Sequence, residues 1–348
     1  MAIRNPYSTV NFGTCIEVAG LGHSHCADAP EYAALVAAGY RHLAISHYRA
    51  SDPARSYPLT NLSGVSSGDV TADIIGGPNA EHFDFTGGAV GHYNAYGSEF
   101  VSGTASTGYG GPWNSFADEA LAELLYPNGG GIVWNHPALG GTISEFFKSY
   151  LDYDDRVLGL EVYNHLAEWY FSGEGWALGQ WHKMMVTGRR CFGFFTLDHW
   201  YNVPGHPDAA GVNRLLVPAA YSGQTRTERE QALMEAYREG RFYGCVDFDS
   251  PTLVDFTADA TEVTVEFDAS CDITFVWARK NDPSARTSAI TTGTTATFAL
   301  SGDEVYVRAV GQTSATSISM TQAVMFLDVA DLTGGQSARR RRRQNFGG

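Results

Sequence analysis

Two histidines near the start of the chain, His23 and His25, have the spacing of metal ligands. They lie in the segment GHSHCAD, residues 22–28. Side chains two positions apart on a β-strand share a face, so both imidazoles would lie together, and Asp28 follows where the chain turns. Two imidazoles and a carboxylate form a poor hydrophobic core but a suitable site for a divalent cation. The segment therefore predicts the first part of a metal site.

Further potential ligands follow at the ends of predicted strands up to about residue 245. They are His47, Glu81, His92, His136 and Asp198. Predicted helices separate several of these strands, for example at residues 31–40 and 115–126. Alternating strands and helices are typical of an α/β fold, and such folds build their sites at the carboxyl ends of parallel strands. The pattern therefore predicts a (β/α) barrel with its site at the C-terminal mouth.

Length and pattern divide the chain of 348 residues into three parts. Residues 1–250 hold the alternating pattern and would form the barrel. Residues 251–330 contain apolar residues at every second position in separate runs, among them EVTVEFD, DITFVWAR and EVYVRAV, and these strands predict a small antiparallel β-sandwich. Residues 331–348 form a basic tail that includes five consecutive arginines, Arg339–Arg343.

Charge and composition restrict the classes of partner and compartment. The net charge of −15 disfavours binding of nucleic acid by the body of the protein. The Arg339–Arg343 tail is expected to dock an acidic partner or a larger assembly. No secretion signal and no apolar run of membrane-spanning length are evident. Five scattered cysteines favour a reducing compartment, and so a cytoplasmic location, with a virion or other assembly as the alternative.

Several motifs, in this order, resemble those of the PHP (polymerase and histidinol phosphatase) family of metal-dependent phosphoesterases. They are GHSHCADAP, GYRHLAISH, GPNAEHF, GHYNAYG, GGIVWNHP, LGLEVYN and FTLDHW. The resemblance implies a distorted (β/α)₇ barrel that binds two or three divalent metal ions, Mn, Fe or Zn. It implies these metal ligands, with Glu81 as the bridging carboxylate: His23, His25, Asp28, His47, Glu81, His92, His136 and Asp198.

The last motif departs from the pattern of the family, which usually has Asp-x-His. Trp200 occupies the place of the second ligand, and His199 lies one position before it. We therefore take His199 as a candidate catalytic residue that either binds metal or supports the ligands. Arg49 is a second candidate, because a guanidinium in the loop after His47 would balance the charge of a phosphate; Arg55 lies in the same loop.

The function that the resemblance implies is hydrolysis of a small phosphate ester by a metal-activated hydroxide. An amidohydrolase acting at the same metal site is one alternative. A non-catalytic or weakly catalytic structural protein, for example a component of a phage particle, is the other. The altered last motif, the long loops rich in glycine and serine, and the arginine tail favour this second alternative.

Overall fold

The computed structural model describes residues 2–26, 29–46, 74–83, 85–86, 91–100, 109–139, 150–171, 173–200 and 210–327. The strands are β1 Ala2–Arg4, β2 Ile16–Leu21, β3 Ser24–His25, β4 His42–Leu43, β5 Glu81–His82, β6 His92–Tyr96, β7 Gly131–Asn135, β8 Val157–Asn164, β9 Phe192–Thr196, β10 His199–Trp200, β11 Val212–Val217, β12 Phe242–Cys245, β13 Leu253–Ala258, β14 Glu262–Arg279, β15 Asp282–Thr287, β16 Thr291–Ala299, β17 Glu304–Gln312, β18 Ile318–Thr321 and β19 Val324–Leu327. The helices are α1 Ala29–Ala38, α2 Trp113–Ala122, α3 His165–Tyr170, α4 Leu178–Met185 and α5 Arg226–Glu239, with a 3₁₀ turn at Ala219–Gly223.

Three sheets organise these strands. The largest has twelve strands, and its main path runs β1-β19-β17-β18-β12-β11-β2-β4, with β13, β15 and β16 joined to it through β14. A second sheet has five strands in the order β5-β6-β7-β8-β9, and β3 and β10 form a separate parallel pair. The potential ligands lie mainly on the short pair and on the five-stranded sheet.

The predicted (β/α)₇ barrel is wrong, because the part of the chain that the structure describes is richer in β-structure, with 42% of its residues in strands against 21% in helices. Both large sheets are mixed: β5, β6 and β7 are antiparallel neighbours, and β11 is antiparallel to β2 and to β12. Only residues 83–91 connect β5 to β6. Parallel strands need a crossover of about a dozen residues or more, so this connection favours antiparallel pairing.

The C-terminal strands are longer and more closely joined to the rest than their sequence pattern indicates. The runs EVTVEFD and DITFVWAR, predicted as two strands, are one strand, β14, with a register shift between Glu266 and Cys271. β18 pairs with β12, and β19 pairs with β1. Strands from both sides of residue 250 therefore share one sheet, while the predicted domain boundaries remain a prediction.

Helix α5 shows how local signals set the element boundaries. The side chain of Thr225 accepts a hydrogen bond from the backbone N–H of Glu228, and the carboxylate of Glu228 accepts one from the backbone N–H of Thr225. This capping box fixes the start of the helix. Gly240, with φ of 76°, ends the helix in the left-handed conformation that glycine adopts readily. Leu233 and Tyr237 on its inner face are fully buried. Among the described residues, no helix is long and apolar enough to cross a membrane.

Strands β8 and β9 form the buried centre of the five-stranded sheet. Every residue of both strands is buried, so the site residues at their ends are fixed by a rigid support. Gly159 of β8 is paired with Phe192 of β9, and a Cβ added at Gly159 would lie 1.9 Å from the carbonyl oxygen of Phe192. A side chain there would push the two strands apart.

We expect Gly159→Ala to lower the free energy of unfolding by about 2–3 kcal/mol, because the clash is with backbone and cannot be relieved by a rotamer change. Gly179→Ala is the matched control. A Cβ at Gly179 of α4 meets nothing within 4 Å. This replacement should raise stability by about 0.5–1 kcal/mol through helix propensity. Urea unfolding of both variants measures the difference, and equal stabilities would contradict the close strand packing.

Candidate metal centre

The first and last of the predicted ligand segments meet at the parallel pair of β3 and β10. His25 belongs to β3, and Asp198 directly precedes β10. The backbone N–H of Asp198 donates a hydrogen bond to the carbonyl oxygen of His23 at 3.1 Å. Main-chain pairing therefore holds Asp198 beside the two histidines, which are distant from it in sequence.

His23, His25 and Asp198 form a first group of potential ligands, and one oxygen of Glu81 lies with them. The Nε2 atoms of the two histidines are 3.2 Å apart. His23 Nε2 lies 3.4 Å from Glu81 Oε2 and 3.1 Å from Asp198 Oδ1; His25 Nε2 lies 3.1 and 3.5 Å from the same oxygens. Ligand atoms placed tetrahedrally about 2.0–2.1 Å from a zinc ion are separated by about 3.3 Å. The four atoms therefore have the mutual spacing of a tetrahedral metal site.

Glu81, His92 and His136 form a second group. Here the other oxygen of the glutamate, Oε1, lies 2.9 Å from His92 Nδ1 and 3.3 Å from His136 Nε2. The side chain of His92 is 37% exposed, whereas those of His23 and Glu81 are fully buried. Glu81 thus directs one oxygen to each group, and solvent reaches the pair of groups from the side of His92.

The protonation of His23 is set by Glu161, whose Oε1 lies 2.7 Å from His23 Nδ1. A proton held at Nδ1 leaves the lone pair of Nε2 in neutral His23 facing the oxygens of Asp198 and Glu81. Burial lowers the pKa of His23, but the charges of Asp198, Glu161 and Glu81 outweigh it and raise the pKa well above the ordinary value. These atoms can converge only around a cation, either a proton or a metal ion.

The pKa values of Glu81 and Asp198 are also set by a balance between burial and the charges of neighbouring groups. Burial raises the pKa of Glu81, but His23 and His92 overcome this effect and hold the pKa well below the ordinary value. Burial likewise opposes ionisation of Asp198, and His23 and His25 nevertheless lower its pKa. Both groups are therefore ionised acceptors at neutral pH, which is the form that binds metal. The two His/carboxylate groups are thus chemically suited to hold metal ions, and the residues fit such a site.

Two of the potential ligands have an unusual backbone conformation. His136 has φ of 27° and Asp198 has φ of 52°, and among the described residues these are the only ones other than glycine with positive φ. This conformation costs a residue with a Cβ about 1–3 kcal/mol and is found mainly at functional sites. The two residues with this strained backbone, His136 and Asp198, therefore both belong to the groups of potential ligands that the distances define.

Glu161 and Asn164, at the end of β8, connect the two groups. Beyond its contact with His23, Glu161 accepts a hydrogen bond through Oε2 from the backbone N–H of His136 at 2.7 Å. Asn164 Nδ2 lies 2.9 Å from Glu161 Oε2 and 3.0 Å from Asp198 Oδ2. The Oδ1 atom of Asn164 caps α3 by accepting from the backbone N–H of Ala167. A carboxylate that orients a histidine in this way is typical of metal sites.

Three further asparagines support the site and were missed by the sequence interpretation. Asn135 Nδ2 donates to Glu81 Oε1 at 2.9 Å. Asn79 and Asn94 donate to the carbonyl oxygen of Gly22, just before His23, at 2.6 and 3.2 Å. Each of these asparagines lies within two positions of a predicted ligand. Their proximity to the ligands in sequence was the signal that could have identified them.

The structure does not describe the side chains of the remaining predicted site residues. Asp28, His47 and Arg49 lie outside the described residues, as do Arg55 and the Arg339–Arg343 tail. The backbone of His199 is described in β10, but its side chain is not. Roles for all of these residues remain predictions.

Two other buried histidines lie apart from the metal groups. His42 Nδ1 lies 2.9 Å from the carbonyl oxygen of Ile75, and burial lowers the pKa of His42 to about 4. His82 packs on the rings of Phe100 and Phe116, and burial lowers its pKa to about 3. These two histidines are neutral packing residues, in contrast to His23.

Comparison with protein-family models, with curated proteins and with solved structures gave no match to this chain.

We expect Glu161→Gln to weaken metal binding by about 10–100-fold. The glutamine would place an amide NH₂ against either His23 Nδ1–H or the N–H of His136, so at least one hydrogen bond that orients a ligand would be lost. Competition between the protein and a zinc-sensitive chelator measures the affinity for Zn²⁺.

Glu262→Gln provides the control. Glu262 is exposed at the start of β14, and its replacement by glutamine removes the same charge. It should bind Zn²⁺ as the unmodified protein does. Equal affinity in the Glu161 and Glu262 variants would show that Glu161 does not orient the site.

Proposed function

We propose that this protein is a metal-dependent hydrolase that acts on small phosphate esters. The observation that carries the proposal is the position of Glu81, whose Oε1 and Oε2 face different groups of histidines. A carboxylate shared in this way, with imidazole ligands on both sides and the carboxylate of Asp198 on one of them, is the arrangement expected of a two-metal hydrolytic site. The order of the ligand motifs, which resembles that of PHP phosphoesterases, supports the same proposal, although the barrel that this resemblance also implies is wrong.

The proposed metal-binding residues divide into two positions. His23, His25 and Asp198 would hold one ion, and His92 and His136 would hold the other, with Glu81 between them. Imidazole and carboxylate ligands together suit Zn, Fe or Mn. When bound, such ions lower the pKa of a coordinated water to about 7 and offset the negative charge of phosphate oxygens.

The residues of the chain contribute orientation, protonation state and access. Glu161 keeps the proton of His23 on Nδ1, so that Nε2 is available as a ligand atom. Asn164 fixes Asp198 through its Oδ2 atom and leaves Oδ1 facing the histidines. Burial of the first group excludes water from its ligands, while the partly exposed His92 marks the side from which a substrate would approach.

We further propose that the protein works in a reducing compartment such as the cytoplasm. All five cysteines are free thiols, and four of them are buried. A chain whose thiols are dispersed in this way does not depend on disulfide bonds for its stability.

The test combines metal analysis with a substrate screen. Purified protein should carry one to two equivalents of Mn, Fe or Zn by mass spectrometry, and it should hydrolyse p-nitrophenyl phosphate. Glu81→Gln should lose metal and reduce the hydrolysis rate at least 100-fold, because one replacement removes a ligand charge from both groups. Glu262→Gln should change neither property.

Other outcomes of the same screen would contradict the proposal in distinct ways. Hydrolysis of amides but not of phosphate esters would indicate an amidohydrolase. Less than one equivalent of metal after incubation with each ion, together with no hydrolysis, would indicate a non-catalytic protein. Equal activity of the Glu81 and Glu262 variants would remove Glu81 from the proposed site.

A further inference from the structure

A cavity of about 240 Å³ lies at the opposite end of β9 from the metal centre. It lies between β1 and the turn that follows it, the start of β9 at Phe192, and the strand β19. Phe192 begins β9 and Asp198 follows its end, so the cavity and the metal centre are about 15–20 Å apart along the strand. At about 30 Å³ for each water molecule, the volume corresponds to about eight waters and could accept a ring with one charged substituent.

The lining of the cavity is positively charged, although the chain carries a net charge of −15. Arg4 and Arg190 both line it. In the part of the chain that the structure describes, neither guanidinium forms an ion pair with a carboxylate; Arg190 donates instead to the carbonyl oxygen of Asp155. Glu239 also lines the cavity, but its Oε2 atom is 2.8 Å from Arg241 Nε, so this pair is close to neutral.

Neighbouring arginines reinforce this charge. Burial and then the charge of Arg4 lower the pKa of Arg190 to about 10. Burial and then the charges of Arg156 and Arg190 lower the pKa of Arg238 to about 10. The carboxylate of Asp154 offsets part of this positive charge, but the arginines outnumber it, and an anion placed among them would relieve their repulsion.

Most of the remaining lining is apolar, with Asn5 and Ser8 as its polar members. Ile3, Pro6, Ala323 and Met325 contribute hydrocarbon surface, and the ring of Phe192 lies beneath the guanidinium of Arg190, 5.1 Å from its Cζ atom. Charged groups at one place and apolar side chains around them are typical of sites that bind small organic molecules. Guanidinium groups suit carboxylate and phosphate oxygens in particular, because they donate paired hydrogen bonds.

We propose that this cavity binds a small organic anion, whose phosphate or carboxylate group lies between Arg4 and Arg190 and whose apolar part packs on Phe192 and Met325. The site is separate from the metal centre, and the proposal does not depend on the hydrolytic function.

The proposal is tested by calorimetric titration with 4-bromophenylphosphonate, which has no ester bond to hydrolyse, with 4-bromobenzoate and with the neutral 4-bromobenzamide. At least one of the two anions should bind, and the neutral amide should bind at least tenfold more weakly. Arg4→Gln is the main variant, because Arg4 is exposed and its replacement should leave folding intact. It should weaken binding of the anion about tenfold or more, since a hydrogen bond to a charged group is lost.

Arg279→Gln is the matched control. Arg279 is 40% exposed on β14 and pairs with Asp303, and its replacement removes the same charge far from the cavity in sequence. It should bind the anion within twofold of the unmodified protein. Arg190→Lys keeps the buried charge but loses the paired donors, and it should lie between Arg4→Gln and the control.

The bromine atom of each probe also allows the position of the bound molecule to be determined. Anomalous scattering from crystals of the complex should place bromine beside Phe192 and Arg190. Bromine found only near His92 and His136 would overturn the proposal, because the anion would then bind at the metal centre alone. Equal affinity of Arg4→Gln and unmodified protein would overturn it as well, as would no binding of either anion at millimolar concentration.

Discussion

The buried carboxylate of Glu81 imposes a requirement for positive charge that organises the metal centre. Transfer of an ionised carboxylate from water to a protein interior costs several kcal/mol unless opposite charges and hydrogen bonds replace the lost water. At Glu81 the replacement comes from imidazoles on both sides and from the amide of Asn135. His23 in turn brings Asp198 and Glu161 with it, since each faces one of its ring nitrogens. The histidines that compensate the charge of Glu81 thus need charged partners of their own.

The hydrogen bonds among these residues also connect the site to strand β8 and helix α3. Glu161 accepts from the backbone of His136, and Asn164 joins Glu161 to Asp198 while it caps α3. A movement of β8 would therefore change the positions of ligands from both groups at once. The complete burial of β8 and β9 limits such movement, because displacement would open gaps in a close-packed core. The positions of the ligands therefore depend on the packing of the core.

The sequence pattern was informative about the site and misleading about the fold. His23 and His25 could be paired from local alternation, and ligand-type residues at strand ends could be recognised in order; the structure brings six of the predicted ligands together. Strand partners could not be recognised in the same way, because pairing depends on residues far apart in the chain. The pairing of β18 with β12 and that of β19 with β1 have no local signature. β14 was divided in two between Asp268 and Asp272, although apolar residues continue at every second position from Val263 to Trp277.

The positive φ values of His136 and Asp198 show how the fold maintains a costly local conformation. Each would cost about 1–3 kcal/mol in isolation, so each must be held by contacts that a relaxed backbone could not make. Asp198 N–H donates to the carbonyl of His23, and His136 N–H donates to Glu161. Both hydrogen bonds end on residues that also contact the ligands, so relaxation of either backbone would separate the two groups that share Glu81. The strain is therefore retained by the same buried charges that form the candidate metal centre.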